Sequence, residues 1–295
     1  MLYTLFAILA GAATTLQNSI NGLMTPIAGS MGVSFINFTV QSILILGYLG
    51  IFQRRLPAVR RVPLPYYASG ILATVVVGLI GVCVARMGSA VTTCCSVAGQ
   101  ILMSAAIDHF GLFGAQKIRF RAKRAPGFIL IIAGVLCINL IGASGKTETP
   151  MLLLLLAILL GGCAVFVRTM NARVSQITGS VIDSGFVNSI GGSIGGLLLM
   201  FAMSGFHPDF SAFGRIPALY YTAGCFGLAC LMLSIIAYKR LETFYATVFM
   251  LIGQICAGVV IDLLVFHALT VGKGIGIAMI VLGVLIDKLI TRGKD

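Results

Sequence analysis

The sequence has very little charge. Only 9% of its 295 residues are charged, whereas 59% are hydrophobic. Acidic residues are scarcest, with eight aspartates and glutamates against 20 lysines and arginines. This composition leaves too little polar surface for a water-soluble globule of this size. It excludes a soluble domain and predicts a protein that lies in a lipid bilayer.

Motifs for chemical energy and catalysis are also missing. The chain contains no P-loop of the form GxxxxGK[ST], so energy from nucleotide hydrolysis is not expected. Histidines and carboxylates in apolar segments are too few to supply a nucleophile, a base and an orienting partner, so we predict no catalytic residues and no enzyme. The eight cysteines form no CxxC framework with histidine partners, and we therefore expect no metal and no cofactor.

Long apolar runs are abundant. A helix needs about 20 such residues to cross a bilayer. The runs are continuous and do not alternate in polarity, which favours helices over the strands of a membrane barrel. The chain is therefore predicted to be an all-α membrane protein with ten transmembrane helices. The expected spans are 2–24, 32–53, 64–85, 88–107, 126–145, 150–170, 181–204, 218–238, 243–266 and 273–290.

The basic residues occupy alternate loops. Sixteen of the 20 fall on the side of the N-terminus, and the other four are Arg86, Lys146, Arg215 and Lys273. Such a bias reports orientation in the membrane, because positive loops stay in the cytoplasm. We therefore predict a multi-pass protein of the cytoplasmic (inner) membrane with both termini cytoplasmic. The net charge of +12 then indicates contact with the lipid bilayer and no nucleic-acid partner.

The chain contains one unit written twice. Gln100 and Gln254 each follow a glycine, and each has an aspartate eight residues later. An odd number of helices in each copy starts the second copy on the opposite side of the membrane. We therefore predict two inverted five-helix repeats, residues 1–145 and 146–295. Inverted repeats share a central cavity that can open to either side, the arrangement of alternating access.

The first half carries the features of a known family. Gln17 and Asn21, the pair Gly99-Gln100 and the stretch 108–111 together resemble the YdcZ-like inner-membrane exporters of the drug/metabolite transporter superfamily. Many of those proteins are half-length and are thought to pair, and this chain is similar to a fused pair. The resemblance implies a five-plus-five helical bundle and transport of a small molecule. It names no substrate.

The second half departs from that pattern. Val167 and Arg168 stand where the first half has Gln17 and Asn18, so we expect the halves to have specialised. Arg168 is expected either to snorkel to the cytoplasmic interface or, if it stays in the membrane, to meet Asp183 or an anionic substrate.

Five amides are the predicted substrate-binding residues. Gln100 and Gln254 lie near the middle of their segments, where an amide without a hydrogen-bond partner is costly. They therefore either line a cavity or join helices by hydrogen bonds. Gln17 and Asn21 share one face of the first helix at a spacing of four. This suits contact with a ligand, or packing between the repeats against Asn171. In that order they are Gln100, Gln254, Gln17, Asn21 and Asn171.

Two aspartates are the predicted proton-coupling residues. The inversion places Asp108 at the cytoplasmic mouth and Asp262 at the outer mouth, where partial burial raises a carboxyl pKa toward neutrality. The alternative for both is a carboxylate that only caps its span in the interfacial water.

The sequence as a whole predicts a secondary transporter, a proton-coupled exporter of a small organic metabolite or xenobiotic that works by alternating access. The alternative is a flippase for a lipid-linked headgroup, in which the basic cluster at 117–124 collects anionic lipid. An intramembrane enzyme is a third, weaker hypothesis. The expected partners are a small-molecule substrate and the bilayer, with a homodimer left open.

Overall fold

A computed structural model describes residues 2–57, 62–87, 89–114, 151–204 and 210–261, with isolated positions within 126–134 and 275–286. Every described element is helical, and the protein is a helical membrane protein. The predicted spans 126–145 and 273–290 lie outside the described ranges apart from those isolated positions. The long helices are α1 (Leu2–Tyr48), α2 (Ala68–Met87), α3 (Ser89–Phe110), α4 (Met151–Thr178), α5 (Val181–Met203), α6 (Thr222–Arg240) and α7 (Thr243–Ile261).

The first two predicted spans form one element that is bent at a glycine. Gly29 interrupts α1 with φ 69° and ψ 162°, which divides it into a first arm (2–28) and a second arm (30–48). Gly179, 150 positions later, separates α4 from α5 with φ 72°. A positive φ of this kind suits glycine because it has no Cβ. The same residue therefore makes the same turn in both halves.

A second local structure also occurs twice. Pro63 precedes the 3₁₀ turn Leu64–Tyr67, and Pro217 precedes the 3₁₀ turn Ala218–Tyr221. The proline carbonyl accepts a hydrogen bond from Tyr66 N at 3.0 Å in the first case and from Tyr220 N at 2.9 Å in the second. Proline presets the backbone angle that such a turn requires. Each turn leads directly into a long apolar helix, α2 or α6.

Two close helix crossings hold the bundle together. Gly11 in the first arm lies against the backbone of Met250 in α7, and Gly161 in α4 lies against the backbone of Ser96 in α3. A methyl group at either glycine would overlap the facing carbonyl oxygen. Small residues permit this approach in membrane helices. Both crossings join a helix of residues 1–145 to a helix of residues 146–295.

Two helix pairs run in opposite directions. In the second arm of α1, Phe35 lies against Gly196 of α5. Ten residues later, Ile45 lies against Gly185. The numbering rises on one helix while it falls on the other, so the two helices are antiparallel. The last turn of α3 likewise meets the first turn of α7, where Asp108 contacts Thr243.

Candidate functional site: an arginine network and a basic cavity

One end of the bundle collects basic side chains, and we call it the basic end. Arg240 lies over the Tyr3 ring, 5.8 Å from its centroid. Arg173, Lys239 and Arg240 line one cavity at this end. At the opposite end the described chain has Arg86, in the last turn of α2, and Arg215. The charge therefore follows the asymmetry that the loops predict.

A polar network extends inward from the basic end, and we call it the arginine network: Gln100, Arg168, Tyr238 and Thr247. Arg168 Nη1 donates to Gln100 Oε1 at 3.0 Å. The Tyr238 hydroxyl lies beside the guanidinium and is 2.7 Å from Thr247 Oγ1. Gln100 is 6% exposed and Tyr238 is 7% exposed. Helices α3, α4, α6 and α7 thus each contribute one polar side chain to one buried chain of contacts.

The described contacts of Arg168 are with neutral side chains. Within the described residues no carboxylate oxygen lies within 4.0 Å of its guanidinium, and its neighbours Gln100 and Tyr238 are neutral. The expectation that Arg168 meets Asp183 was wrong, because Gln100 on the neighbouring helix α3 offers an acceptor within the reach of the guanidinium. Arg168 is half-buried, and its snorkelling to the interface stays an untested prediction.

Asp183 has a different partner. Arg55 Nη1 donates to its two carboxylate oxygens at 2.9 and 3.0 Å. The Asp183 side chain is 2% exposed and that of Arg55 is 36% exposed. Ser180 completes the group, since its hydroxyl accepts from Asp183 N at 3.2 Å and caps α5. We call Arg55 and Asp183 the end pair, because it ties the segment that follows the second arm of α1 to α5 at the basic end.

Asp108 caps a helix that is distant in sequence. Its carboxylate accepts from Thr243 N at 3.0 Å and from Phe244 N at 2.7 Å, the first two residues of α7. Two N–H donors and the positive end of the α7 dipole favour the charged carboxylate. A proton-coupling role for Asp108 stays an untested prediction, and this geometry gives the residue a capping function. Asp262 lies outside the described residues.

The two predicted asparagines each bond within their own half. Asn37 Nδ2 donates to Asn21 Oδ1 at 2.8 Å, and Asn171 Nδ2 donates to Asn188 Oδ1 at 2.9 Å. Each bond closes the hairpin that turns at Gly29 or Gly179. Asn171 is 1% exposed. The expected packing of Asn21 against Asn171 between repeats is therefore replaced by two equivalent clamps inside the repeats.

Gln17 belongs to a second polar group, the amide cluster of Gln17, Gln41 and Ser189. The amide nitrogens of Gln17 and Gln41 both lie against Gly227 of α6. Ser189 Oγ donates to Gln41 Oε1 at 3.2 Å. Gln17 is half-buried and Gln41 is buried. A Cβ at position 227 would overlap both amides, so this glycine makes the space in which they meet.

Gln254 is held differently from Gln100. Thr15 Oγ1 donates to its backbone carbonyl at 3.1 Å, and its side chain is half-buried. No hydrogen bond joins Gln100 and Gln254, both of which are among the described residues. The two glutamines that sequence reasoning paired thus face different helices, α4 for Gln100 and the first arm of α1 for Gln254.

A cavity of about 230 Å³ opens at the basic end. Its charged lining consists of Arg173, Lys239, Arg240 and Glu242. Tyr238 also lines it and connects it to Arg168. Among the described residues, no three His, Cys, Asp or Glu side chains come together as metal ligands. The arrangement can bind an oxygen-bearing solute through N–H and O–H donors.

Sequence reasoning missed three residues of these groups, namely Arg55, Tyr238 and Thr247. The stretch Tyr238-Lys239-Arg240 carried a usable signal, since a tyrosine directly before two basic residues marks the boundary of a membrane span. Arg55 carried none, because its partner Asp183 is 128 positions away.

Three kinds of comparison relate the chain to known proteins. The model of the family described as "Putative inner membrane exporter, YdcZ" matches the chain twice, over residues 2–137 and 152–286. A solved crystal structure superposes with a TM-score of 0.71 and 17% identity, covering 99% of this chain and 96% of that chain. At that identity the likeness shows the fold alone. The comparison with curated proteins found no match.

Proposed function

Because the chain belongs to the YdcZ family of inner membrane exporters, we propose that it is a secondary transporter that exports a small organic molecule by alternating access. The family description names an exporter, which favours transport over catalysis. Transport by this mechanism requires a site between two halves that can open to either side. The arginine network lies between the two halves, and it is the observation that carries the proposal.

The proposal includes ten helices in two inverted repeats, residues 1–145 and 146–295. Its support is the direction of equivalent helices. The second arm of α1 corresponds in sequence to α5, and α3 corresponds to α7. Both pairs run antiparallel in the described residues. A second copy inserted in the opposite sense produces this relation, whereas a copy inserted in the same sense would make equivalent helices parallel.

The arginine network joins the two halves. Gln100 belongs to the first half, while Arg168, Tyr238 and Thr247 belong to the second. The Gly161 crossing brings α4 against α3 and so sets the distance from Arg168 to Gln100. Movement of one half against the other must change this hydrogen bond, so a solute bound here would be carried by that movement.

The end pair supports an inner gate at the basic end. It links α1 to α5, and thus the two halves, through a bidentate contact to a buried carboxylate. Positive loops place the basic end in the cytoplasm, with both termini on that side. Opening toward the cytoplasm then requires Arg55 to leave Asp183, and its re-formation would close the site to that side.

Proton coupling belongs to the proposal through Asp262. Asp108 is engaged by the start of α7, so the exchangeable proton is assigned to the other aspartate. Gln17 and Gln254 remain proposed pathway residues because both are half-buried, whereas the clamp asparagines Asn21 and Asn171 have a packing role. No described contact favours a flippase, since the cluster at 117–124 lies outside the described residues.

Competitive growth tests the proposal. A strain that lacks this protein is grown against a panel of metabolites and toxic compounds, and the wild-type protein is expected to restore tolerance to one compound class. Gln100→Leu should fail to restore it, because leucine offers Arg168 no acceptor. Asn18→Leu, a change of an exposed amide in the first arm of α1, serves as the matched control. Full tolerance with Gln100→Leu would contradict the proposed site.

A further inference from the structure

We infer that the transported molecule is a small organic carboxylate, and that Arg168, with Gln100 and Tyr238, binds its single negative charge. This inference deepens the proposed transport function and rests on it. It names the substrate class from the chemistry of the site, which the family description does not.

The charge balance around Arg168 favours an anionic ligand. Each carboxylate at this end of the described bundle has another position. Asp183 is taken by Arg55. Asp108 acts electrostatically on Tyr238, but its carboxylate accepts from the backbone at the start of α7. Glu242 lies on the cavity wall and not within 4.0 Å of the guanidinium. A cation with no carboxylate in contact is costly inside a bilayer, and an anionic solute would supply that contact.

Gln100 contacts Arg168 through a neutral oxygen. A glutamine oxygen can hold a guanidinium in position without cancelling its charge, whereas a glutamate oxygen would cancel it. Gln100 Nε2 is directed to Ser96 Oγ at 3.4 Å, which turns its carbonyl oxygen toward Arg168. The described contacts occupy only part of the guanidinium, which has several N–H donors in a planar fork. That fork matches the two oxygens of a carboxylate.

A solute can approach the arginine network from the basic end. The cavity at the basic end is lined by three basic residues and one acidic residue, so its field attracts anions. Its volume of about 230 Å³ is below the range typical of drug-sized ligands, which favours a small molecule. Tyr238 forms part of the cavity wall and also lies beside Arg168. A carboxylate in the cavity therefore lies against the side chain that contacts Arg168.

The first half has no positive charge at the described position equivalent to Arg168. Asn18 stands where the second half has Arg168, and it is neutral and exposed. Gln254 consequently has no arginine partner in the described chain. One guanidinium in the arginine network fits one carboxylate group.

The experiment uses three probes with the same ring and different charge. Benzoate is negative, benzamide is neutral and benzamidine is positive, and inorganic phosphate tests the other common anion. Binding to the purified full-length protein in detergent is measured by calorimetry and by the shift of the thermal unfolding midpoint. We expect benzoate to bind at least ten-fold more tightly than the other three probes.

The variants separate charge from packing. Arg168→Gln should weaken benzoate binding at least ten-fold. Gln100→Glu should do the same while the unliganded protein keeps its unfolding midpoint or gains stability, because the new carboxylate pairs with Arg168. Arg168→Lys should retain part of the affinity. Arg86→Gln, which removes an exposed arginine at the opposite end, should bind benzoate like the wild type.

Four results would overturn the inference: no binding of benzoate, equal binding of the three ring probes, preference for phosphate, or unchanged benzoate affinity in Arg168→Gln. Flux measurements in liposomes keep it distinct from the transport proposal. Benzoate binding that depends on Arg168 but drives no flux would remove transport and leave the anion site. Flux of a cationic compound that is insensitive to Arg168→Gln would leave transport and remove the anion site.

Discussion

Gln100 and Gln254 follow a glycine at equivalent positions, but their side chains have different surroundings. Gln100 is buried and accepts from Arg168. Gln254 is half-buried, and the contact from Thr15 reaches only its backbone. The difference comes from the neighbouring helix, since α4 carries Arg168 where the first arm of α1 carries Asn18. A repeated backbone can thus hold two sites of different chemistry.

The backbone itself is far more alike in the two halves. Gly11 meets Met250 as Gly161 meets Ser96, both through carbonyl oxygens. Gly29 and Gly179 adopt φ of 69° and 72°. Close backbone contact admits only one kind of residue, whereas a polar side chain can change whenever its partner changes. We therefore expect matched glycines to respond equally to substitution and matched polar positions to respond unequally.

The largest effect should come from the glycine crossings. Gly11→Ala and Gly161→Ala each place a methyl group on a facing carbonyl, and each should cost about 3 kcal/mol in unfolding free energy through overpacking. Thermal unfolding in detergent measures both. Gly22→Ala, where a Cβ has no neighbour within 4 Å, is the control. A large cost in unfolding free energy at one crossing and none at the other would show that the two crossings are not equivalent.

The next effect should separate the two glutamines. Gln100→Leu leaves the Arg168 guanidinium without its acceptor and should cost about 2 kcal/mol, since the lost partner is charged. Gln254→Leu should cost well under that value because its side chain is only half-buried. Unfolding midpoints of the two variants give the ratio directly. Equal costs would show that the surroundings of the two amides are alike.

The two aspartates should differ in kind. Asp108→Ala removes the cap of α7 and should cost about 1 kcal/mol in stability, with the dependence of transport on a pH gradient retained. Asp262→Asn should abolish that dependence, because the amide carries no exchangeable carboxyl proton. Transport in vesicles across an imposed pH gradient, together with unfolding midpoints, distinguishes them. Unchanged coupling in Asp262→Asn would remove its proton role.

The smallest effect should come from the end pair. Arg55 is partly exposed, so solvent screens it and the coupling energy with Asp183 should be below about 1 kcal/mol. A double-mutant cycle with Arg55→Gln and Asp183→Asn measures that energy. The same variants should increase labelling of a cysteine introduced into the arginine network from the cytoplasmic side. A labelling rate that matches the unmodified pair would argue against an inner gate.

Several helices could be predicted from hydropathy with good accuracy. The span expected at 181–204 is observed as Val181–Met203, and that expected from 243 begins at Thr243. By contrast α4 continues to Thr178, eight residues beyond its predicted end, because helix propagation does not stop where the apolar run stops. The predicted break between the first two spans is a bend at one glycine, a local conformation that hydropathy does not register.

The polar contacts could be predicted far less well. Arg168 was expected to snorkel, or to meet Asp183 or an anionic substrate, and its contacts with Gln100 and Tyr238 were not predicted. Residue type indicates that a buried polar group needs a partner, but it does not identify which one. Asp108 met the expectation of a cap in kind, although it caps the start of α7 and not its own span.

The sequence by itself determined the solvent, the helices, the duplication and the family, because these depend on composition and on order along the chain. The tertiary structure alone decided which groups meet. Hydrogen bonds require atoms about 3 Å apart, and that spacing is set by glycine contacts between helices far apart in sequence. The surroundings of Arg168 follow from those contacts, since in the described part of the chain neutral side chains contact it and no carboxylate lies within 4.0 Å.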